Sequence, residues 1–249
     1  MDNLLQETII KPNWPAPANV CSYATTRLGG VSKNDYDSLN LGLHVGDDEQ
    51  LVLENRQRLQ TTLGYKSIAW LEQVHSAIAT KANIDQVLQA DASWTDQSEL
   101  ACVVMTADCL PVLFCDMSGQ YVAAAHAGWR GLVNGILEET INQLPVEPNQ
   151  LMAWLGPAIG PNKFEVGAEV KQAFLDKDSE AELAFRANST HDKYLADIYQ
   201  LARLRLRKAG VTAVYGGDFC TVSDKDMFFS YRRQAVTGRM ASLIWLLPQ

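Results

Sequence analysis

The chain has 249 residues, 47% of them hydrophobic, and a formal net charge of −8 at neutral pH. This length and composition allow a large buried core. A nucleic-acid binder needs clustered positive charge, whereas the 21 lysines and arginines form only one basic run, RLRLRK at residues 203–208, which is typical of the C-terminal part of a solvated helix. We therefore expect no nucleic-acid partner. The first fifteen residues include an acidic residue and lack a sustained apolar run, which predicts no secretory signal, no membrane span and a cytoplasmic location.

The N-terminal half is predicted to contain one helix among short strands. A first strand is predicted in VCSYA, before a glycine turn at Gly29 and Gly30. An amphipathic helix is predicted over residues 47–63, because aspartates stand at its start and Gly64 at its end. Two short strands are predicted to meet near His75, in SIAWLEQVHSAIATKA.

The second half alternates apolar runs with helical patterns. Buried strands are predicted in LACVVMT and YVAAA, and further strands in LMAWL, VTAVY, DFC and RMASLIWLL. Helices are predicted over residues 129–144, in FEVGAEVKQAFL and in YLADIYQLARLRLRKAG, with an exposed acidic segment over residues 176–192. Because the rhythm is not a regular βαβα repeat, we predict an α+β fold of mixed sheets covered by helices, in one compact domain spanning residues 1–249.

Three residues beside these apolar runs are candidates for a reactive site, namely His75, Cys109 and His126. Structural zinc sites take four ligands from closely spaced pairs, and no such pair occurs in the sequence. Two imidazoles and one thiolate from dispersed positions instead predict an open zinc site that keeps one position for water. Asp91 and Asp108 are candidates for accepting imidazole N–H groups or carrying protons, and either could equally be a turn residue.

Two other chemistries use the same residues. Cys109 activated by His126 would be a thiolate nucleophile of hydrolase or acyltransferase type, but such a dyad does not need His75, which favours zinc. A mononuclear copper site would use the same three ligands with a weak axial group such as Met105. Multicopper oxidase chemistry is disfavoured, because four histidines in the whole chain cannot supply its copper centres.

Long, ordered motifs between residues 25 and 242 also carry a family resemblance: TTRLGGVS, SLNLGLHVGD, ENRQRL, WLEQVHS, TADCLPVLF, AAHAGWRGL, GPAIGP with FEVG, and FFSYRRQAVTGRMAS. Together they resemble the YfiH-like or laccase-domain family, also called peptidoglycan editing factor or polyphenol oxidase. The resemblance implies a zinc site formed by His75, Cys109 and His126. It further implies a purine nucleoside phosphorylase that acts on inosine, adenosine and methylthioadenosine and also deaminates adenosine.

The expected partners are therefore purine nucleosides and phosphate, with a peptidoglycan precursor as the alternative that the family names suggest. Phosphorolysis requires a clamp that holds phosphate against the ribose C1, and arginine is the natural clamp. The candidate substrate contacts all lie in the shared motifs: Arg27, Asn40, Arg56, Arg130, Arg232 and Arg239. The sequence leaves open which of them contact phosphate.

Overall fold

The structure is a computed structural model that describes residues 8–64 and 67–248. Its strands form two large sheets. The first sheet comprises β1 (Val20–Ala24), β2 (Ser67–Ala69), β7 (Leu100–Thr106) and β15 (Met240–Leu246). The second comprises β4 (Ala79–Lys81), β6 (Ala92–Thr95), β8 (Leu110–Asp116), β9 (Val122–Ala127), β10 (Leu151–Leu155) and β14 (Ala213–Gly216). The strand order is β1-β15-β7-β2 in the first sheet and β14-β10-β8-β9-β6-β4 in the second. Both sheets mix parallel with antiparallel pairs.

Two smaller sheets and five α-helices complete the fold of the described residues. The small sheets pair β3 (Leu71–Glu72) with β5 (Leu88–Gln89), and β11 (Glu165–Gly167) and β12 (Phe185–Ala187) with β13 (Lys193–Ala196). The helices are α1 (Glu49–Leu63), α2 (Trp129–Asn134), α3 (Ile136–Gln143), α4 (Ala168–Leu175) and α5 (Ile198–Lys208). Short 3-10 helices span Asn34–Tyr36, Pro148–Gln150 and Ser179–Ala184. Mixed sheets covered by helices confirm the predicted α+β class.

The two large sheets stack face to face, and the alternation of side chains along β7 and β8 shows this directly. On β7, Cys102 and Val104 point between the sheets, whereas Val103 packs with α1 on the outer face. On β8, Leu113 enters the layer between the sheets, while Phe114 packs under the helices on the other side. Because every residue of both strands is buried, each reads as a continuous apolar run. Helices on the outer faces therefore sandwich two stacked sheets.

Capping residues fixed the helix boundaries that the sequence predicts best. The Asp48 side chain caps α1 by accepting a hydrogen bond from the Gln50 N–H, and Gly64 ends the helix with φ of 69°. Gly135, with φ of 98°, instead divides the predicted helix of residues 129–144 into α2 and α3. Its left-handed backbone ends one helix and begins the next, so the prediction of one continuous helix was wrong.

Strand pairing overrides helical periodicity in three other predicted segments. The first residues of FEVGAEVKQAFL and of YLADIYQLARLRLRKAG form β11 and β13, which pair with each other, so both helices begin later than predicted. Residues 218–220, predicted as a strand, form a loop whose Phe219 carbonyl accepts a hydrogen bond from the Tyr199 hydroxyl. The predicted exposed segment of residues 176–192 buries Ala181, Ala184 and Phe185 in the core.

Within residues 8–64 and 67–248, the structure contains no helix with both the length and the apolar character needed to cross a bilayer.

Asn55 on α1 ties this helix to the segment before it. The fully buried amide donates to Ser32 Oγ and to the Asn40 carbonyl, each at 2.9 Å, and accepts from the Val31 N–H at 2.8 Å. Asn55→Ala leaves buried polar groups unsatisfied, and we expect it to lower the free energy of unfolding by about 3 kcal/mol.

Chemical denaturation followed by circular dichroism measures this loss. Glu54→Ala is the matched control on the same helix, since it removes only an exposed ion pair with Arg58 and should cost less than about 0.5 kcal/mol. Equal effects of the two substitutions would contradict the anchoring role of Asn55.

Candidate active site

His126 is fixed by strand register and by one carboxylate. It lies on β9 beside β6, and Asp91 immediately precedes β6. The His126 backbone N–H donates to the Asp91 carbonyl at 2.7 Å, and His126 Nδ1 lies 2.8 Å from Asp91 Oδ1. Both side chains are buried. Because Nδ1 is occupied by the carboxylate, Nε2 is the imidazole nitrogen available to a ligand.

The same carboxylate fixes the segment that carries His75. Asp91 accepts hydrogen bonds from the backbone N–H groups of Val74, His75 and Ser76 at 3.3, 3.0 and 2.6 Å, and from the Ser76 hydroxyl at 2.7 Å. These bonds hold His75 in the left-handed region, with φ of 60°, which costs a non-glycine residue roughly 1 kcal/mol. Burial would raise the pKa of Asp91, but the hydrogen bonds from His126 and Ser76 outweigh it and lower that pKa to about 2.

Cys109 enters the cluster from the turn that joins the two large sheets. It lies between the end of β7 in the first sheet and the start of β8 in the second, and the register places Pro111 opposite His126. Its Sγ is 3.9 Å from His75 Nε2. A Cβ atom on Gly128 would lie 2.9 Å from this sulfur and 3.1 Å from His75 Cδ2. The cluster therefore packs against a position where a side chain would clash with it.

The thiol and the buried imidazole stabilise each other's charged forms. Burial would raise the pKa of Cys109, but the charge of His126 and hydrogen bonds to both histidines lower it below its usual value. Burial would correspondingly lower the pKa of His126, but the Cys109 thiolate and the Asp91 carboxylate raise it. The site therefore favours a thiolate, which is the form of cysteine that binds metals and acts as a nucleophile.

The three side chains have the donors and spacing of a metal site. Their ligand atoms all lie within 4.8 Å of one another. A tetrahedral zinc site, with Zn–S near 2.3 Å and Zn–N near 2.0 Å, sets sulfur and nitrogen roughly 3.5 Å apart. The 3.9 Å between Cys109 Sγ and His75 Nε2 is close to this value, so the donor types and this distance fit a bound metal ion.

The cluster opens into a cavity of about 510 Å³. An apolar wall is formed by Trp129, Ile159, Phe164 and Ile198, and the polar lining includes His44, Gln73, Tyr231 and three arginines. Arg130, Arg232 and Arg239 are these three arginines. The volume lies within the usual range of small-molecule sites, which runs from about 300 to 1,000 Å³.

The other three predicted substrate contacts lie outside this cavity as the described residues define it. Arg27 donates to the Asp37 carbonyl at 2.7 Å and lies over the Phe229 ring. Arg56 stacks on Trp70, with its guanidinium carbon 3.6 Å from the ring centroid, and donates to the Leu41 carbonyl. Asn40 is fully buried and accepts a hydrogen bond from the Arg239 N–H at 2.9 Å, so it acts on the cavity through Arg239.

Asp108 lines the cavity, but its carboxylate is engaged by the C-terminal part of the chain. It accepts hydrogen bonds from the hydroxyls of Thr221 and Ser230 at 2.6 and 3.1 Å and from the Arg232 N–H at 2.6 Å. These bonds hold the segment bearing Tyr231 and Arg232 against the turn bearing Cys109. The geometry thus gives Asp108 a positioning role beside the cluster.

Sequence reasoning did not single out His44, Gln73 and Tyr231 as site residues, although all three line the cavity. The Gln73 amide donates to the Met105 carbonyl at 2.8 Å and accepts from the Met105 N–H at 2.7 Å, which ties the His75 segment to the end of β7. Each of the three stands in a motif that also contains a predicted site residue. Their closeness in sequence to predicted site residues was the signal that could have identified them.

Comparisons with known proteins agree with this architecture. A family model described as multi-copper polyphenol oxidoreductase laccase matches residues 21–247. The chain is 55% identical to purine nucleoside phosphorylase PA4543 of Pseudomonas aeruginosa over 95% of this chain and 98% of that protein. It is 53% identical to purine nucleoside phosphorylase YfiH of Escherichia coli K12, over 96% of this chain and 99% of that one.

A solved structure shares the fold. The crystal structure of Neisseria meningitidis protein NMB0706 superposes with a TM-score of 0.94 at 52% identity and covers 97% of this chain and 100% of that chain. The family match extends over nearly the whole sequence, and the relatives align from end to end. This chain therefore belongs to the laccase-domain family, the family that also contains the YfiH proteins.

Proposed function

We propose that this protein is a zinc-dependent purine nucleoside phosphorylase that also deaminates adenosine. The observation that carries the proposal is one cavity that joins a histidine–cysteine–histidine cluster, three arginines and an apolar aromatic wall. Relatives more than 50% identical over nearly their whole length are named purine nucleoside phosphorylases, which supports the same activity here. The expected substrates are inosine, adenosine and methylthioadenosine, with phosphate.

The cavity has an aromatic surface for the purine and cationic donors for phosphate. Trp129 and Phe164 present rings on which a planar purine can pack. Arginine among the lining residues supplies cationic donors to phosphate. In phosphorolysis, a phosphate oxygen forms a bond to the ribose C1, the C1–N9 bond breaks, and the purine leaves with the bonding electrons and takes up a proton. Holding both reactants in one cavity removes much of the entropic cost of this step.

His75, Cys109 and His126 would hold the zinc. When bound, zinc supplies a Lewis acid that polarises substrate atoms and lowers the pKa of water. The protein's own contribution is orientation: the Asp91 carboxylate keeps the proton on His126 Nδ1 and leaves Nε2 for the metal. Deamination would use water at this cluster. The Asp108 carboxylate already accepts hydrogen bonds from Thr221 and Arg232. This favours a role in positioning the C-terminal segment over the proton transfer that the sequence suggests.

The donor set supports zinc over copper. Zinc binds readily to two imidazoles and one thiolate with an open position, as predicted from the sequence. Copper would need Met105 as its axial ligand, but the Met105 sulfur already accepts a hydrogen bond from Arg56 Nη2 at 3.8 Å. Multicopper oxidase chemistry requires more imidazoles than the four histidines of this chain, one of which, His191, has a side chain 94% exposed.

A metal-free cysteine–histidine hydrolase is the second candidate, and the lowered pKa of Cys109 favours it. A peptidoglycan precursor as its substrate stays a prediction from the family names. For either activity we propose the cytoplasm, since the described cysteines are all free thiols and disulfides are rare in that compartment.

The Asp91 geometry predicts the behaviour of Asp91→Asn. An amide accepts hydrogen bonds through one atom only, so it cannot serve His126 and residues 74–76 together. We expect zinc affinity to fall roughly 10- to 100-fold. Competition with a chromophoric chelator measures the dissociation constant.

Asp116→Asn is the matched control for this substitution. Asp116 is also a buried aspartate at the end of a strand, and it accepts hydrogen bonds from the N–H groups of Ser118, Gln120 and Tyr121, but it does not line the cavity. It should lower stability and keep wild-type zinc affinity. If both variants lost zinc equally, general destabilisation rather than orientation of the histidines would explain the loss.

The two proposed activities predict opposite phosphate requirements. Cleavage of inosine should require phosphate and yield ribose 1-phosphate, because attack on the sugar needs an external nucleophile. Conversion of adenosine to inosine should proceed without phosphate, because water serves as the nucleophile. Mass spectrometry of products from zinc-loaded protein, with and without phosphate, distinguishes these outcomes. Free ribose formed equally well without phosphate would contradict the phosphorylase assignment and indicate a hydrolase.

A further inference from the structure

We infer that His44 and Arg239 form a subsite for inorganic phosphate on one wall of the cavity, beside the metal-ligand cluster. Its use in catalysis rests on the proposed phosphorylase function, whereas the binding of phosphate does not. The sequence predicts six polar residues as substrate contacts but does not indicate which of them bind phosphate. His44 is not among the six. The structure separates these residues by their hydrogen bonds and by their position relative to the cavity.

Arg239 is held in place by residues 40–42, a segment that is distant from it in sequence. Its N–H donates to Asn40 Oδ1 at 2.9 Å, and its carbonyl accepts from the Leu41 N–H at 3.1 Å. Gly42 packs against the arginine stem, since a Cβ there would lie 2.9 Å from Arg239 Cγ. The segment that carries His44 thus positions Arg239, and both side chains line the same cavity.

The guanidinium of Arg239 is oriented but not neutralised. Its Nη1 donates to the carbonyls of Thr237 and Gly238 at 2.9 and 3.0 Å. Among the described residues, no carboxylate lies within ion-pair distance of it, and no protein acceptor engages its Nε or Nη2. A half-buried arginine with a fixed plane and free donors is suited to a tetrahedral oxyanion.

Positive charge surrounds the neighbouring imidazole. Partial burial, followed by the charges of Arg239 and Arg56, lowers the pKa of His44. Two cations therefore lie close to one histidine, although the net charge of the chain is −8. A bound anion would balance this local positive charge. His44 itself stays open to solvent and can donate an N–H to such an anion.

The other two cavity arginines are engaged differently. Arg130 is exposed and stacks on the Trp129 ring at 4.4 Å. Arg232 is exposed, lies over Phe164 and donates to the Glu165 carbonyl at 3.0 Å. Both therefore accompany the aromatic wall, where we place the purine. This arrangement puts the base and the phosphate on different walls, as attack on the intervening sugar requires.

Equilibrium dialysis of zinc-loaded protein against radiolabelled inorganic phosphate, without nucleoside, tests the subsite. We expect Arg239→Gln to weaken binding at least about tenfold, equivalent to about 1.4 kcal/mol, and His44→Gln by about threefold. Arg207→Gln on α5, which removes the same charge outside the cavity, should bind as wild type. His44 is exposed, so its variant reports on the subsite even if Arg239→Gln fails to fold.

Wild-type binding by the His44→Gln and Arg239→Gln variants would overturn the inference, as would a larger loss in Arg130→Gln or Arg232→Gln. Failure of the subsite is distinguishable from failure of the proposed function. If Arg239→Gln loses phosphate binding but wild-type protein forms no ribose 1-phosphate, the subsite stands and the phosphorylase assignment falls. If wild-type protein forms ribose 1-phosphate and the Arg239→Gln variant binds phosphate as wild type does, the phosphorylase assignment stands and the subsite falls.

Discussion

The carboxylate of Asp91 accepts hydrogen bonds from His126 Nδ1 on one strand and from the backbone of residues 74–76 on a separate loop. One buried charge thereby sets the tautomer of one histidine and the backbone conformation of another. The carboxylate stays ionised because these donors outweigh its burial. A ligand cluster built this way is organised before any metal binds, so little ordering remains to be done on binding.

The stacking of two sheets explains why the cluster forms where it does. β7 belongs to one sheet and β8 to the other, so the turn between them must cross the layer boundary, and Cys109 lies in that turn. Asp108 in the same turn anchors the C-terminal segment through Thr221, Ser230 and Arg232. Two adjacent residues, Asp108 and Cys109, thus join the candidate metal site to the C-terminal segment that lines the same cavity. Buried carboxylates hold the site together on both sides of the cluster.

Sequence reasoning identified the features that depend on local chemistry. Apolar runs marked β7 and β15, and capping aspartate and glycine marked the ends of α1. It missed β11 and β13, because their pairing joins residues about 30 positions apart and overrides helical spacing. The cluster of His75, Cys109 and His126 was foreseeable from residue types. The orientation of each arginine was not, because backbone acceptors such as the Asp37 and Leu41 carbonyls decide it.

We propose that Cys109 serves as a metal ligand in an active site, not as a nucleophile. X-ray absorption at the zinc edge, on active wild-type protein and on Cys109→Ser, tests it directly. We expect one sulfur at about 2.3 Å with nitrogen and oxygen neighbours at about 2.0 Å, and loss of the sulfur in the variant. Wild-type protein that is fully active without zinc, or zinc that has no sulfur neighbour, would contradict it and favour the thiolate nucleophile.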